Sequence, residues 1–259
     1  MYIEERLEFI ESLAPLAPLP TLITRSFANL ENEQGAVKHD ESKPTASVMP
    51  DTINTFFPGI STEIIDDVNL CKLVMQNAAS KKYPKEEQLS DWYKYYVDGL
   101  SKLGWVIQNK QLKDVTIKRI GLTMDQIAVE IVAGLLGPQA ASTLAYVAQK
   151  ALVEVKKGQR TIEIFNSNKD TGKTNKFEIA PVFLDASGQP NMVLNYVSMN
   201  AQESTRGILF WKSTSQSTSI KSGATRAYLD RKVFSRLSDS LYDKFTEAGK
   251  KYIIDLPDF

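Results

Sequence analysis

Cysteine and histidine are almost missing: the 259 residues hold one of each, Cys71 and His39. One cysteine excludes an intrachain disulfide and fits residence in a reducing compartment. A structural zinc site needs four N/S ligands, so no Cys/His zinc centre is available. Any Cys–His or Ser–His–Asp constellation would have to use His39 as its base, and His39 sits in a polar, Pro-containing stretch. Cys71 lies on the apolar face of an expected helix, where it reads as a small buried hydrophobe. No metal and no cofactor is expected.

Other absences narrow the function further. The N-terminus, MYIEERLEFIESL, has acids where a signal peptide needs a basic region followed by an apolar one. The expected location is the cytoplasm of the producing cell, with any export by a route that reads no N-terminal signal. No G-x-S-x-G and no G-x-G-x-x-G occurs. Gly172-Lys173-Thr174 imitates a phosphate loop, but Ser167 stands where its first glycine belongs and a strand rather than a helix is expected to follow, so a hairpin turn is the reading. Net charge is zero without a dense Lys/Arg run, which argues against nucleic acid as a partner. The charge is unevenly spread: residues 1–60 carry 4 Lys/Arg against 9 Asp/Glu, and residues 156–259 carry 16 against 11. Asp66-Asp67 and Glu86-Glu87 are adjacent carboxylates, but neighbours on a helix diverge by about 100°, so they read as acids favouring helix starts rather than as clamps.

What is present divides into two patterns. Apolar residues recur at helical spacing over 2–13, 61–80, 86–108 and 123–157, the last broken near Gly137-Pro138. Prolines at 15, 18 and 20 mark a rigid spacer, and 31–50 is polar enough to read as a loop. Beyond Gly158 the period shifts toward two, giving expected strands at 160–166, 176–184, 191–199, 206–213 and 216–221. Leu229, Val233, Leu237, Leu241 and Phe245 then return to helical spacing, and a short strand follows at Tyr252-Ile253-Ile254. The expected fold is α+β: an N-terminal helical layer of about four or five helices, residues 1–157 with a flexible 31–50 loop, followed over 158–259 by an antiparallel β-meander with a covering C-terminal helix, the two parts able to share one core.

One segment stands apart. Residues 131–149 run nineteen positions without a charge and are rich in alanine and glycine. The length reaches the minimum for a membrane span, while Pro138, Gln139, Ser142 and Thr143 argue against a standard one. Small residues permit close helix approach in water or in lipid. The bland reading is a pair of buried helices meeting at a proline turn. The sharper one is a helical hairpin over 127–153, stored in a soluble form and released into a bilayer, with Ile131, Val132, Leu135, Leu136, Leu144 and Val147 as insertion residues. Trp92, Tyr93, Tyr95, Tyr96 and Trp211 are candidate interfacial aromatics, since such rings suit a membrane boundary or a core edge. The expected function is therefore that of a non-enzymatic membrane-active protein, toxin-like or virulence-associated, whose partner is a lipid bilayer. Two alternatives stand beside it: a protein-interaction or scaffold module, and an enzyme using carboxylates distant in sequence.

Overall fold

A computed structural model describes residues 2–16, 39–108, 111–136, 138–166, 176–199, 208–214, 218–249 and 253–256. Among these are eight α-helices: α1 Ile3–Ser12, α2 Thr62–Lys82, α3 Leu89–Lys102, α4 Met124–Leu136, α5 Pro138–Lys157, α6 Gln159–Phe165, α7 Arg231–Phe234 and α8 Ser238–Gly249. Eight strands form one sheet: β1 Thr45–Met49, β2 Thr52–Phe56, β3 Trp105–Ile107, β4 Lys113–Ile117, β5 Lys176–Leu184, β6 Pro190–Met199, β7 Thr218–Leu229 and β8 Ile254–Leu256. The strand order is β3-β7-β6-β5-β2-β1-β8, and β4 pairs with β7 beside β3. Only β2 and β5 run parallel; every other pairing is antiparallel.

Helices cover both faces of this sheet. Side chains alternate along β6, so Met192, Leu194 and Tyr196 enter one core while Val193, Val197 and Met199 enter the other. The first core holds α1, α2, α3, α7 and α8 against the sheet; the second holds α4, α5 and α6. Every residue of β6 is buried. A strand covered on both faces has no need of a polar face, which is why its sequence lacks a clean alternation.

Local chemistry accounts for several boundaries. Ser61 Oγ caps α2 by accepting from Ile64 N–H, and Asp230 caps α7 through Lys232 N–H and Val233 N–H. In the β5–β6 turn Asp185 Oδ1 accepts from the Ser187 hydroxyl and from the Gln189 and Ser187 backbones, and those bonds, the hydroxyl's foremost, pull its carboxyl down to a pKa of about 2. Gly104, at φ +100°, ends α3 in the left-handed conformation that glycine tolerates.

The mixed α and β character and the largely antiparallel sheet agree with the sequence, and so do the expected strands at 176–184 and 191–199. Several elements differ. Residues 45–49, expected within a loop, form β1, joined to β2 by a two-residue turn with Asp51 at φ 58°. The expected strand at 160–166 is helix α6, because Thr161, Ile164 and Phe165 supply the i, i+3, i+4 set that faces the core. Past Gly104 the expected helix gives way to strand β3. Residues 208–210 make a 3₁₀ turn where a strand was expected. β7 extends to Leu229, a residue assigned to the terminal helix from its spacing. Residues 17–38 and the 167–175 turn lie outside the described residues.

Candidate functional site

The uncharged segment does form a hairpin. α4 and α5 pack against each other and against the sheet, meeting at Pro138. Val132 and Leu144 are fully buried in the second core, and Val147 is fully buried on α5. Ile131 and Leu136 are half-buried against it. Leu135, next to the helix junction, is 47% exposed. The small residues allow the close approach: Ala128, Ala148 and Ala151 all lie in this core. Asn195 of β6 clips the hairpin to the sheet by donating from Nδ2 to the Ala128 carbonyl at 2.6 Å. No helix among the described residues is long and apolar enough to cross a membrane.

The candidate aromatics separate by helical geometry. On α3, positions 92, 93 and 96 share a face, so Trp92, Tyr93 and Tyr96 point to the sheet and are buried. Tyr95 turns outward, half-buried, edge-on to Tyr83 at 6.0 Å and beneath Lys82 Nζ at 4.4 Å. Trp92 stacks between Tyr96 and Tyr196, 5.3 Å from each. Tyr93 lies over Gly223, where a Cβ would stand 2.5 Å from the Tyr93 ring, so glycine is required for that approach. Trp211 is buried in the second core.

Beneath these rings lies a buried polar network that sequence reading missed. Lys72 of α2 and Glu178 of β5, 0% and 1% exposed, form an ion pair at 3.2 Å. Lys72 Nζ also donates to Asn54 Oδ1 at 2.6 Å. Glu178 Oε2 accepts from the hydroxyls of Tyr96 and Thr52. Asn54 Nδ2 donates to Asn69, Asn69 to Ser47, and Ser47 to Asp255 on edge strand β8. A continuous polar chain thus runs from the sheet edge to the centre of the first core. The cross-strand register explains the gathering: Thr52, Glu178, Tyr196 and Gly223 form one row across four strands. Burial drives the Lys72 ammonium below its usual pKa, with Glu178 opposing the shift, and it drives the Tyr96 and Tyr196 phenols well above theirs. The available signal was the placement of Lys72 amid the apolar run Leu70–Met75.

A second group surrounds Asp67. Asp66 is exposed, whereas Asp67, one position on, is 8% exposed and faces Tyr242 of α8, whose hydroxyl donates to Oδ1 at 2.7 Å. Burial, opposed by that bond and assisted by nearby Glu63 and Asp66, lifts the Asp67 pKa to about 6. Since the folded pKa lies above that of the unfolded chain, the folded state holds the extra proton between about pH 4 and 6, and Asp67 makes stability fall as pH rises through that window. Asp67→Asn, still able to accept from Tyr242, is expected to stabilise the protein at pH 7.5 by about 1–3 kcal/mol and to flatten this window. Urea midpoints between pH 4 and 8 check both expectations.

Elsewhere the chemistry is quiet. Cys71 is buried and its thiol is pushed upward, chiefly by burial, so it is no thiolate nucleophile. His39 pairs through Nε2 with the Ile60 carbonyl at 2.9 Å. Among the described residues, no group of three or more His, Cys, Asp or Glu side chains is placed to hold a metal ion.

No family model matches this chain, and no curated protein matches it. Among solved structures it is similar to the structure of the Evf virulence factor, at 11% identity and a TM-score of 0.33 over 89% of each chain.

Proposed function

We propose that this is a non-enzymatic protein acting at membrane surfaces, with the hairpin 127–153 as the element that enters the bilayer interface. The observation supporting this reading is the distribution of exposed apolar side chains. Of the eight large ones among the described residues, Leu135, Tyr146 and Val153 lie on α4 and α5, and Ile120 and Phe210 lie on segments packed beside them. Exposed apolar groups concentrated on one layer suit a docking surface. Lys150 stands over Tyr146 at 5.4 Å and Lys156 over Phe210 at 5.8 Å, pairing each ring with a cation. Aromatic rings beside lysines fit the boundary between anionic head groups and acyl chains. A hairpin lying in the interface needs no span, in keeping with the lengths and compositions of α4 and α5.

Flotation and dye release with phosphatidylcholine/phosphatidylglycerol vesicles test the proposal. The wild-type protein is expected to co-float with anionic vesicles and to release dye. Leu135→Asp is expected to weaken partitioning at least about tenfold, the equivalent of losing one inserted aliphatic side chain. Its urea midpoint should barely move, because the position is half-exposed. Absence of vesicle binding between pH 5 and 7.5 would sink the reading. A stoichiometric protein complex that forms without vesicle binding and breaks with Leu135→Asp would assign the same patch to a protein partner.

A further inference from the structure

Glu178 Oε1, Gln76 Oε1 and the hydroxyls of Tyr93 and Tyr196 are buried polar atoms without a hydrogen-bond partner among the described residues. None of the four residues is more than 2% exposed. They gather at one place. Glu178 and Tyr196 are directly opposed across β5 and β6, and Tyr196 is opposed to Gly223 of β7. Opposed side chains on one face of a sheet start from Cβ atoms about 4.5–5.5 Å apart. Tyr93 reaches the same spot from α3: its ring centre lies 5.4 Å from that of Tyr196, and its hydroxyl lies over Gly223. Gln76 reaches it from α2, donating from Nε2 to Thr52 Oγ1 at 2.5 Å, and Thr52 is the residue opposed to Glu178 on β2.

Bonds already made fix the role of each atom. Glu178 Oε2 is taken by Lys72, Tyr96 and Thr52, which leaves Oε1 as an acceptor. The Thr52 hydroxyl gives its proton to Glu178, so Gln76 must offer it an N–H, and the amide oxygen is the open end. Burial first, then nearby carboxylates with Glu178 among them, keeps both phenols protonated, so each is an O–H in need of an acceptor. The inventory is two acceptors and two donors, the complement of water with its two O–H groups and two lone pairs. Leaving such atoms unmet in a core is costly. Polar neighbours that do not bond each other directly are what a bridging water joins. An ion has less to gain, because Lys72 already balances the Glu178 charge. We infer that the centre of the first core is an internal water site, with ordered water accepting from the Tyr93 and Tyr196 hydroxyls and donating to Glu178 Oε1 and Gln76 Oε1. The water carries the polar chain that starts at Asp255 onward from β5 to β6 and α3. The site belongs to the first core and is independent of the hairpin and of membrane binding.

High-resolution crystal structures of the wild type and of Tyr93→Phe/Tyr196→Phe test the site, since phenylalanine keeps both rings and removes both hydroxyls. In the wild type a water oxygen is expected within about 2.5–3.0 Å of Glu178 Oε1 and of at least one of the two tyrosine hydroxyls. In the double variant that density is expected to be lost. If the double variant does not fold, Tyr196→Phe alone is read the same way. A second measurement separates water from an ion: the wild-type urea midpoint should be the same in potassium chloride and in choline chloride of equal concentration. A direct bond between Glu178 Oε1 and either phenol, no density at the centre of the wild-type core, or density unchanged by the loss of the hydroxyls would each overturn the inference. So would a midpoint raised by potassium, which would assign the place to a cation.

Discussion

Lys72→Met is expected to destabilise the protein by about 3–5 kcal/mol, because it leaves the Glu178 carboxylate buried without its countercharge. The ion pair itself need not be a large net gain, since removing two charges from water costs several kcal/mol per ion before their attraction returns it. The informative comparison is the double variant Lys72→Met/Glu178→Gln. Glutamine keeps an acceptor for Tyr96 and Thr52 and carries no charge. The double variant is therefore expected to lie closer to wild type than Lys72→Met alone. Equilibrium urea denaturation measures both; a shifted midpoint with an unchanged slope identifies a change in native-state stability. Additive single and double effects would show that the two side chains do not act as a pair. The role this assigns to Lys72 is register: its ammonium holds Asn54 of β2 and Glu178 of β5 together, across the parallel β2–β5 pairing.

Trp92→Ala is expected to cost about 3–5 kcal/mol, the range for truncating a large aromatic in a packed core. Its ring lies between Tyr96 and Tyr196, its Nε1–H donates to Ser80 Oγ at 3.0 Å, and Lys176 Nζ sits 4.2 Å from the ring centre. Tyr95→Ala, three positions along the same helix, is expected to cost about 1–2 kcal/mol. It loses a half-exposed edge contact and a cation–π contact and opens no cavity. Thermal or urea unfolding of the two variants separates them. If Trp92 worked at a lipid interface instead, its alanine variant would lose vesicle binding at unchanged stability. The packing of the first core leads to the opposite expectation.

The hairpin and the buried network show where sequence reading succeeds and where it stops. A charge-free run with a proline in its middle is a local property, and the α4–α5 hairpin with its junction at Pro138 follows from it directly. The period of β5 and β6 was legible for the same reason. Strand β1 was not, because Thr45-Ala46-Ser47 offers little apolar signal ahead of Val48 and Met49, and the strand pairs with neighbours on both sides, β2 close by in sequence and β8 far from it. Helix α6 was misread because Ile162-Glu163-Ile164 imitates strand alternation over three residues, while its core contacts follow helical spacing. Nothing near Lys72 in sequence reveals Glu178, which is brought to it only by the β2–β5 pairing. Asp67 likewise meets Tyr242 across 175 residues.

By itself, the sequence determined the absence of disulfide and Cys/His zinc chemistry, the mixed α and β content, the two long central strands and the proline-centred helical hairpin. Each rests on composition or on a period spanning a few turns or a few alternating residues. Only the tertiary structure decided that helices cover both faces of one sheet, which of the aromatics on α3 are core, and that Lys72 and Asp67 lie among buried partners. Those outcomes depend on pairings between residues far apart in the chain, and the energy of such a pairing is carried by neither residue alone.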